Sequence, residues 1–329
     1  MRIVRTMQVI GISTVRNEAD VVEAFVRHHL RVLDRMLVVC HFSQDETVTI
    51  LRALAEEGLT LEVTEVSSPV HDQAALMTAL ARTAVEEHAA DLVLALDADE
   101  FLVATEGDPR DGLAALPTDR ISLVPWRTYV PVPGDPAGEQ HVLRRIRHRP
   151  VREHHPLGKV VLPRAVVRPG IEIQIGNHEV LDERTNARLE TAPAAGLALA
   201  HFPFRTDAQV RAKLLGGWPV HLANPKRWGD QSGHWRDNYA QALGAGFDAE
   251  LLQRKAQGYA FALDEELVRD PVDAPFELRY PAERIEPIQV LSATALGLAE
   301  ELRRASVAQP SFGWRFRATL SRRLGALRR

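Results

Sequence analysis

The sequence has one cysteine, Cys40, among its 329 residues. No intramolecular disulfide can form, which points to a reducing, cytoplasmic setting. No apolar run approaches the roughly 20 residues of a membrane span. Residues 1–8 lead straight into a strand pattern, so no signal peptide is expected. An excess of positive charge is also missing. Forty basic residues against 44 acidic ones leave a formal net charge of −4, which carries no nucleic-acid signature. The first strand lacks G-x-G-x-x-G, which argues against a dinucleotide-binding dehydrogenase. Internal repeats and low-complexity linkers are absent too.

What is present is ordinary globular composition, 45% hydrophobic and 26% charged. The chain is long enough for one large α/β domain or two smaller ones. One stretch, residues 91–103, organises the rest. Residues 92–96 form an apolar run with the make-up of a strand buried on both faces. The run then breaks into Asp97, Asp99 and Glu100 before turning apolar at Phe101. Burying ionised carboxylates costs several kcal/mol each unless a cation or donors compensate. The strand therefore ends either in a cleft that holds a divalent metal or in a solvated acidic turn. Glu100 either hydrogen-bonds a substrate or braces this loop.

Around that stretch the pattern alternates. Strands are expected at 9–15, 36–42, 59–66 and 92–96, and helices at 21–33, 48–57 and 72–88. Asn17 reads as a helix cap and Gly58 as a helix C-terminus. Such alternation indicates parallel βαβ units. Ligands of parallel sheets bind beyond the carboxyl ends of the strands. That rule gathers residues 14–18, 43–47, 67–68 and 97–100 onto one rim, and these are the chain's most polar loops. Further strands are expected at 121–126, 160–167, 171–175 and 197–201. From Thr206 the pattern turns helical, at 209–215, 235–243, 249–255 and 292–304, with a loop over 216–233.

The motifs Asn17-Glu18, Ser43-Gln-Asp45-Glu-Thr47 and Asp97-Ala-Asp99-Glu100-Phe101, with Lys159 to Arg164, His201 to Arg205 and Lys213 later, resemble a bacterial subgroup of family-2-type glycosyltransferases. The resemblance covers about residues 8–218. It implies an α/β GT-A fold, with a mostly parallel central sheet flanked by helices and a helical C-terminal region. It implies a catalytic domain at 1–205, with a nucleotide half at 8–103 and an acceptor half at 104–205. Residues 206–329 would complete the acceptor side.

The resemblance also implies chemistry. Asp99 would ligate Mn²⁺ or Mg²⁺, with Asp97 helping through ribose, water or metal. A metal bridging two phosphates neutralises the charge that develops on a nucleoside diphosphate leaving group. His201 is the expected third ligand; an imidazole there favours Mn²⁺. Thr14, Asn17, Glu18, Asp45 and Gln73 would hold the nucleotide, Asp45 by accepting from a uracil N3–H. Asp45 reads equally as a helix cap, and Asn17 and Glu18 as a helix start. An inverting transfer needs a base for the acceptor hydroxyl. Glu179 is the first expectation, with Asp182, Glu153 and His178 behind it. Trp126, Trp218, Trp228 and Trp235 serve as sugar-stacking surfaces or as core. Arg205 and Lys213 contact a diphosphate or an anionic acceptor, or form a solvated helix face.

The expected partners are therefore a nucleotide-sugar donor, probed first as UDP-linked, and a glycan or lipid-linked acceptor. Residues 314–329, basic and amphipathic as a helix, suit an anionic membrane surface, or pack as an ordinary terminal helix. Two other readings compete. A degenerate GT-A domain would bind nucleotide or glycan without turnover. A phosphohydrolase with Asp-x-Asp would carry its motif near the N-terminus and follow it with Thr or Val, unlike Glu100-Phe101.

Overall fold

The alternation of apolar strands and amphipathic helices builds one half of a mixed α/β structure. In the computed structural model, residues 6–308 are described, apart from 71, 137, 155–156, 224–232, 281 and 283–284. Trp228 and the tail 314–329 lie outside the described residues, as does the side chain of Trp235.

The first hundred residues run β1 (Val9–Val15), α1 (Val22–His29), β2 (Arg35–His41), α2 (Thr47–Glu56), β3 (Leu61–Val66), α3 (Gln73–Glu86) and β4 (Leu92–Leu96). β5 (Glu100–Ala104), α4 (Pro109–Ala114), β6 (Ile121–Thr128), α5 (Val142–Arg145), β7 (His148–Pro150) and β8 (Gly158–Pro163) follow. Then come short strands β9 (Ile171–Ile173), β10 (Val180–Asp182), β11 (Ala187–Arg188) and β12 (Thr191–Pro193), and β13 (Leu197–His201). The C-terminal part holds α6 (Asp207–Ala223), α7 (Gly233–Leu243), α8 (Ala249–Tyr259), β14 (Leu267–Arg269) and α9 (Pro287–Ala308).

The central sheet has the order β3-β2-β1-β4-β8-β6-β13-β5, with β12 also on β6. β3, β2, β1 and β4 are mutually parallel, as expected. β8 enters antiparallel between β4 and β6, and β5 returns antiparallel to β13. All five residues of β4 are buried, as a strand covered on both faces requires. Cys40 is buried in the core on β2. Gly58 adopts φ +86° just beyond α2, the left-handed position where a helix end favours glycine.

The helical C-terminal region is also present. Its first helix overturns one expectation: residues 216–223 are not loop, because α6 continues through Gly216 and Pro219. Helix packing explains the glycine, since a Cβ at 216 would come within 2.7 Å of Val290 on α9. Asn17 does not cap α1. It sits at φ +55°, and Val21 occupies the cap position. Among the described residues, no helix is long and apolar enough to cross a membrane.

Candidate active site

Parallel pairing of β1, β2 and β4 brings their C-terminal loops to one rim, and hydrogen bonds stitch those loops together. The Asn17 amide donates to Ser43 Oγ at 3.1 Å, and Asn17 Oδ1 accepts from the Gln44 amide at 2.6 Å. The Glu18 amide donates to Thr47 Oγ1 at 2.9 Å. Asp45 accepts from the amides of Ala19 and Thr47 and from the Thr47 hydroxyl. Its carboxylate thus serves the start of α2 and the β1 loop. Thr14 Oγ1 is buried without a hydrogen-bond partner.

The Asp97–Glu100 turn is held from below by one ammonium group. Lys159, on β8 and 1% exposed, donates to Asp97 Oδ2 at 2.5 Å and to the Gly176 carbonyl at 2.7 Å. Its Nζ lies 3.4 Å from Glu100 Oε1 and 5.4 Å from the Trp126 ring centre. Glu100 accepts from the Trp126 indole N–H at 2.6 Å and from the Asp97 amide at 3.0 Å. Burial pushes the Glu100 carboxyl up to about 8, against the pull of Lys159. Glu100 is therefore the brace of the loop. Asn177 completes the Asp97 contacts, donating to Oδ1 at 3.2 Å. Gln73 supports the same neighbourhood by accepting from the Gly176 amide at 3.0 Å.

Asp99 faces a different set. It is 4% exposed, with Lys213 Nζ at 3.4 Å, Arg205 Nη1 at 3.8 Å and His201 Nε2 at 3.7 Å. Register places His201 there, because His201 of β13 pairs with Glu100 of β5. Burial alone would raise Asp99, but the charges of Lys213 and Arg205 beside it hold its carboxyl below the usual range. His201 is itself lowered to about 4 by burial, so it stands neutral and the lysine and arginine carry the effect. The Arg205 side chain is fully covered. It donates to Glu18 Oε2 at 2.5 Å, to Asp20 at 2.7 and 2.8 Å and to the Phe202 carbonyl at 3.2 Å. Those partners make Arg205 a fixed tie, whereas the side chain of Lys213 is 47% exposed. Burial pushes Glu18 up to about 7, opposed by Arg205.

A divalent ion can be tested against these residues. His201 Nδ1 is buried with no hydrogen-bond partner, and its Nε2 is too far from Asp99 for a hydrogen bond. A neutral imidazole and an ionised carboxylate 3.7 Å apart suit two neighbouring ligands of one ion. Asp97 is engaged otherwise, by Lys159 and Asn177. Among the described residues, no cluster of three His, Cys, Asp or Glu ligands is assembled. Phosphate oxygens and water would have to complete the shell, as Mg²⁺-type sites allow.

The expected acceptor-side acids have other partners. Glu179 forms an ion pair with Arg188. Asp182 accepts from Arg168 at 2.8 Å and from the amides of Arg184 and Thr185. Glu153 accepts from the amide and hydroxyl of Thr128. His178 does stand at the site, with its ring 5.1 Å from that of Trp126, which lies 4.3 Å from the His201 ring.

Tyr259, at the end of α8, lies 5.9 Å from Trp126 and 5.5 Å from His201. Sequence reading missed it, because the expected helix stops at 255, whereas α8 runs on to Tyr259. Lys159 entered only as part of a motif. The chain has just four lysines among its 40 basic residues, and two of them stand at these carboxylates. That scarcity was the available signal. A cavity of about 200 Å³ opens elsewhere, lined by Asn17, Asp20, Asp45, Arg145 and Tyr280 and by none of Asp97, Asp99 or His201.

No family model matches the chain, and no curated protein does either. Among solved structures it is similar to the mannosyltransferase PcManGT from Pyrobaculum calidifontis, in complex with GDP-Man and Mn²⁺. That match has 17% identity and TM-score 0.37, over 98% of this chain and 81% of that one. The mannosyl-3-phosphoglycerate synthase from Rubrobacter xylanophilus matches at 21% identity and TM-score 0.26, over 37% of this chain and 41% of that one. The apo structure of the bifunctional glycosyltransferase WbbM matches at 15% identity and TM-score 0.24, over 38% and 24%. At these values the functional reading rests on the site's own residues.

Proposed function

We propose that this chain is a glycosyltransferase that moves a sugar from a nucleoside-diphosphate donor to a glycan or lipid-linked acceptor, with inversion. The observation that carries the reading is Asp99. It is a buried carboxylate at the carboxyl end of the parallel strand β4, kept ionised, with His201 and Lys213 within 3.7 Å. That is where an open parallel sheet binds its ligand, and the mostly parallel sheet flanked by helices is the architecture a GT-A fold calls for. In this reading residues 1–205 form the catalytic domain and the helical region from 206 onward completes the acceptor side.

The chemistry follows from charge. Breaking the bond between an anomeric carbon and a phosphate oxygen leaves negative charge on the departing diphosphate. Lys213 is half-exposed and already oriented toward Asp99, so its ammonium can meet that charge. Asp99 and His201 are the residues that would hold Mn²⁺ or Mg²⁺, which when bound supplies Lewis-acid neutralisation of the diphosphate. Asp97, fixed by Lys159 and Asn177, is the group left to orient ribose or water. Thr14, near the carboxyl end of β1 with its Oγ1 unpartnered, is the hydroxyl left for the nucleotide in this reading.

The test is a thermal-shift panel of UDP-, GDP- and dTDP-sugars with and without Mn²⁺. A ligand present at 100 times its Kd adds about 2.7 kcal/mol to stability. UDP-sugars are expected to raise Tm most, and only with the metal. If none of the sugars raises Tm, the donor-site reading falls. Binding without release of nucleoside diphosphate would instead favour the non-catalytic alternative.

A further inference from the structure

The histidine beside the Asp97–Glu100 turn, His178, has its tautomer fixed by the backbone. His178 Nδ1 lies 2.7 Å from the carbonyl oxygen of Gly158. A carbonyl only accepts, so Nδ1 carries the proton and Nε2 keeps its lone pair. No residue among those described hydrogen-bonds Nε2. The loop that presents the ring is fixed on several sides. Gly176 is held by Gln73 and Lys159, Asn177 donates to Asp97, and the Asn177 carbonyl accepts from the Val160 amide at 3.0 Å.

The Trp126 ring lies between this histidine and the Asp99 side of the site. His178 approaches it at 78° and 5.1 Å, and His201 packs against it at 4.3 Å. Trp126 itself is 7% exposed, so it offers little surface to a ligand. Tyr259 does offer surface. It is 44% exposed, tilted 30° to Trp126, and its hydroxyl makes no hydrogen bond among the described residues. A half-exposed aromatic ring with a free polar tip beside charged groups is the form of surface on which pyranose rings lie, apolar face down.

Building on the glycosyltransferase reading, we propose that His178 is the base that deprotonates the acceptor hydroxyl and that the open face of Tyr259 carries the acceptor's pyranose ring. The acceptor oxygen forms its bond to the anomeric carbon as its proton passes to His178 Nε2. The bond from that carbon to the phosphate oxygen breaks, and its electron pair leaves with the nucleoside diphosphate. The imidazolium then returns its proton to solvent. Glu179 and Asp182, each tied to an arginine, are not needed for this step. The groups facing His178 are Lys159 on β8, Asp97 at the end of β4 and its own neighbour Glu179. Burial, followed by the Lys159 charge, holds the ring below its ordinary 6.5 and keeps it a base at neutral pH.

The experiment uses the full chain, the donor that stabilises it best, and a series of p-nitrophenyl pyranosides as acceptors. In the unmodified protein, kcat/KM should fall through an acidic limb with its midpoint below 6.5. His178→Gln and His178→Asn should keep donor-induced stabilisation, lose transfer by about 10²–10⁴-fold and lose that limb. Tyr259→Ala should raise acceptor KM roughly tenfold at nearly unchanged kcat, and Tyr259→Phe should restore most of it. A limb centred above 7.5, or transfer by the His178 variants within threefold of the parent, overturns the base. An acceptor KM unmoved by Tyr259→Ala overturns the platform. If no donor stabilises the parent protein, the glycosyltransferase reading fails instead, which separates the two.

Discussion

His28 and Leu102 share a buried hydrogen bond of 2.7 Å, from imidazole Nε2 to the backbone carbonyl, and the next residue, His29, accepts the Leu102 amide on its own Nε2 at 3.2 Å. β5 pairs with β13 on one side, and at Leu102 the two imidazoles take the place of a further strand on the other. His29 must be neutral for this, because its Nε2 accepts, whereas His28 donates from Nε2 in either charge state. His29 donates from Nδ1 to the Phe25 carbonyl at 2.9 Å, so a second proton on its Nε2 would point at the Leu102 N–H.

A pH prediction follows. Burial lowers His28 to about 4 and His29 well below 6.5. Between pH 6.5 and 4 the unfolded chain therefore binds protons that the folded chain refuses. The His28 contribution is complete above 6.5 and declines as pH falls toward 4. Glu18 and Glu100, raised to about 7 and about 8, run the other way, so the absolute stability curve is not diagnostic. The difference between the parent and His28→Gln is. From urea unfolding, that gap should narrow by about 2 kcal/mol from pH 7.5 to pH 5, at 1.36 kcal/mol per unit below 6.5. A constant gap would show that His28 does not titrate with folding.

Asp99→Asn tests the charge at the end of β4. Arg205 keeps Glu18 and Asp20, and Lys213 is half-exposed, so neither cation is stranded by the change. The variant should unfold within a few degrees of the parent. Its metal-dependent stabilisation by donor should disappear, with affinity at least tenfold weaker. Donor binding equal to the parent's in calorimetry would remove Asp99 from the ligand set.

Part of this site could be read from sequence. Residues 92–96 announced a buried strand, the three acids after it marked a place where compensating donors or cations had to stand, and alternation with helices gathered the polar loops on one rim. His201 was visible as a polar residue closing an apolar run. The remainder depends on pairing. Nothing in residues 158–163 says that they insert antiparallel beside β4, with Val93 opposite Leu162. Yet that register puts Lys159 under Asp97. Hydrophobic pattern records how deeply a residue is buried and not against what. For the same reason Glu100 had no assigned partner. The continuation of α6 through Gly216 and Pro219 defied local propensity because packing against α9 outweighs it.

Lys159 gives the sharpest stability test, since one ammonium group compensates two buried or half-buried carboxylates. Removing it leaves Asp97 paired only with Asn177 and takes from Glu100, fully buried, the cation that opposes its protonation. Breaking one side of a buried ion pair costs about 3–5 kcal/mol. At about 2–4 °C per kcal/mol, Lys159→Met should lower Tm by roughly 6–20 °C. Glu100→Gln should rescue part of this loss, because the amide can still accept from Trp126 and no longer needs a cation. The double variant is therefore expected to lie about 1–2 kcal/mol above the sum of the two single effects, the coupling typical of residues in contact. Strict additivity, or a Lys159→Met protein that melts with the parent, would mean that Lys159 does not brace the Asp97–Glu100 turn.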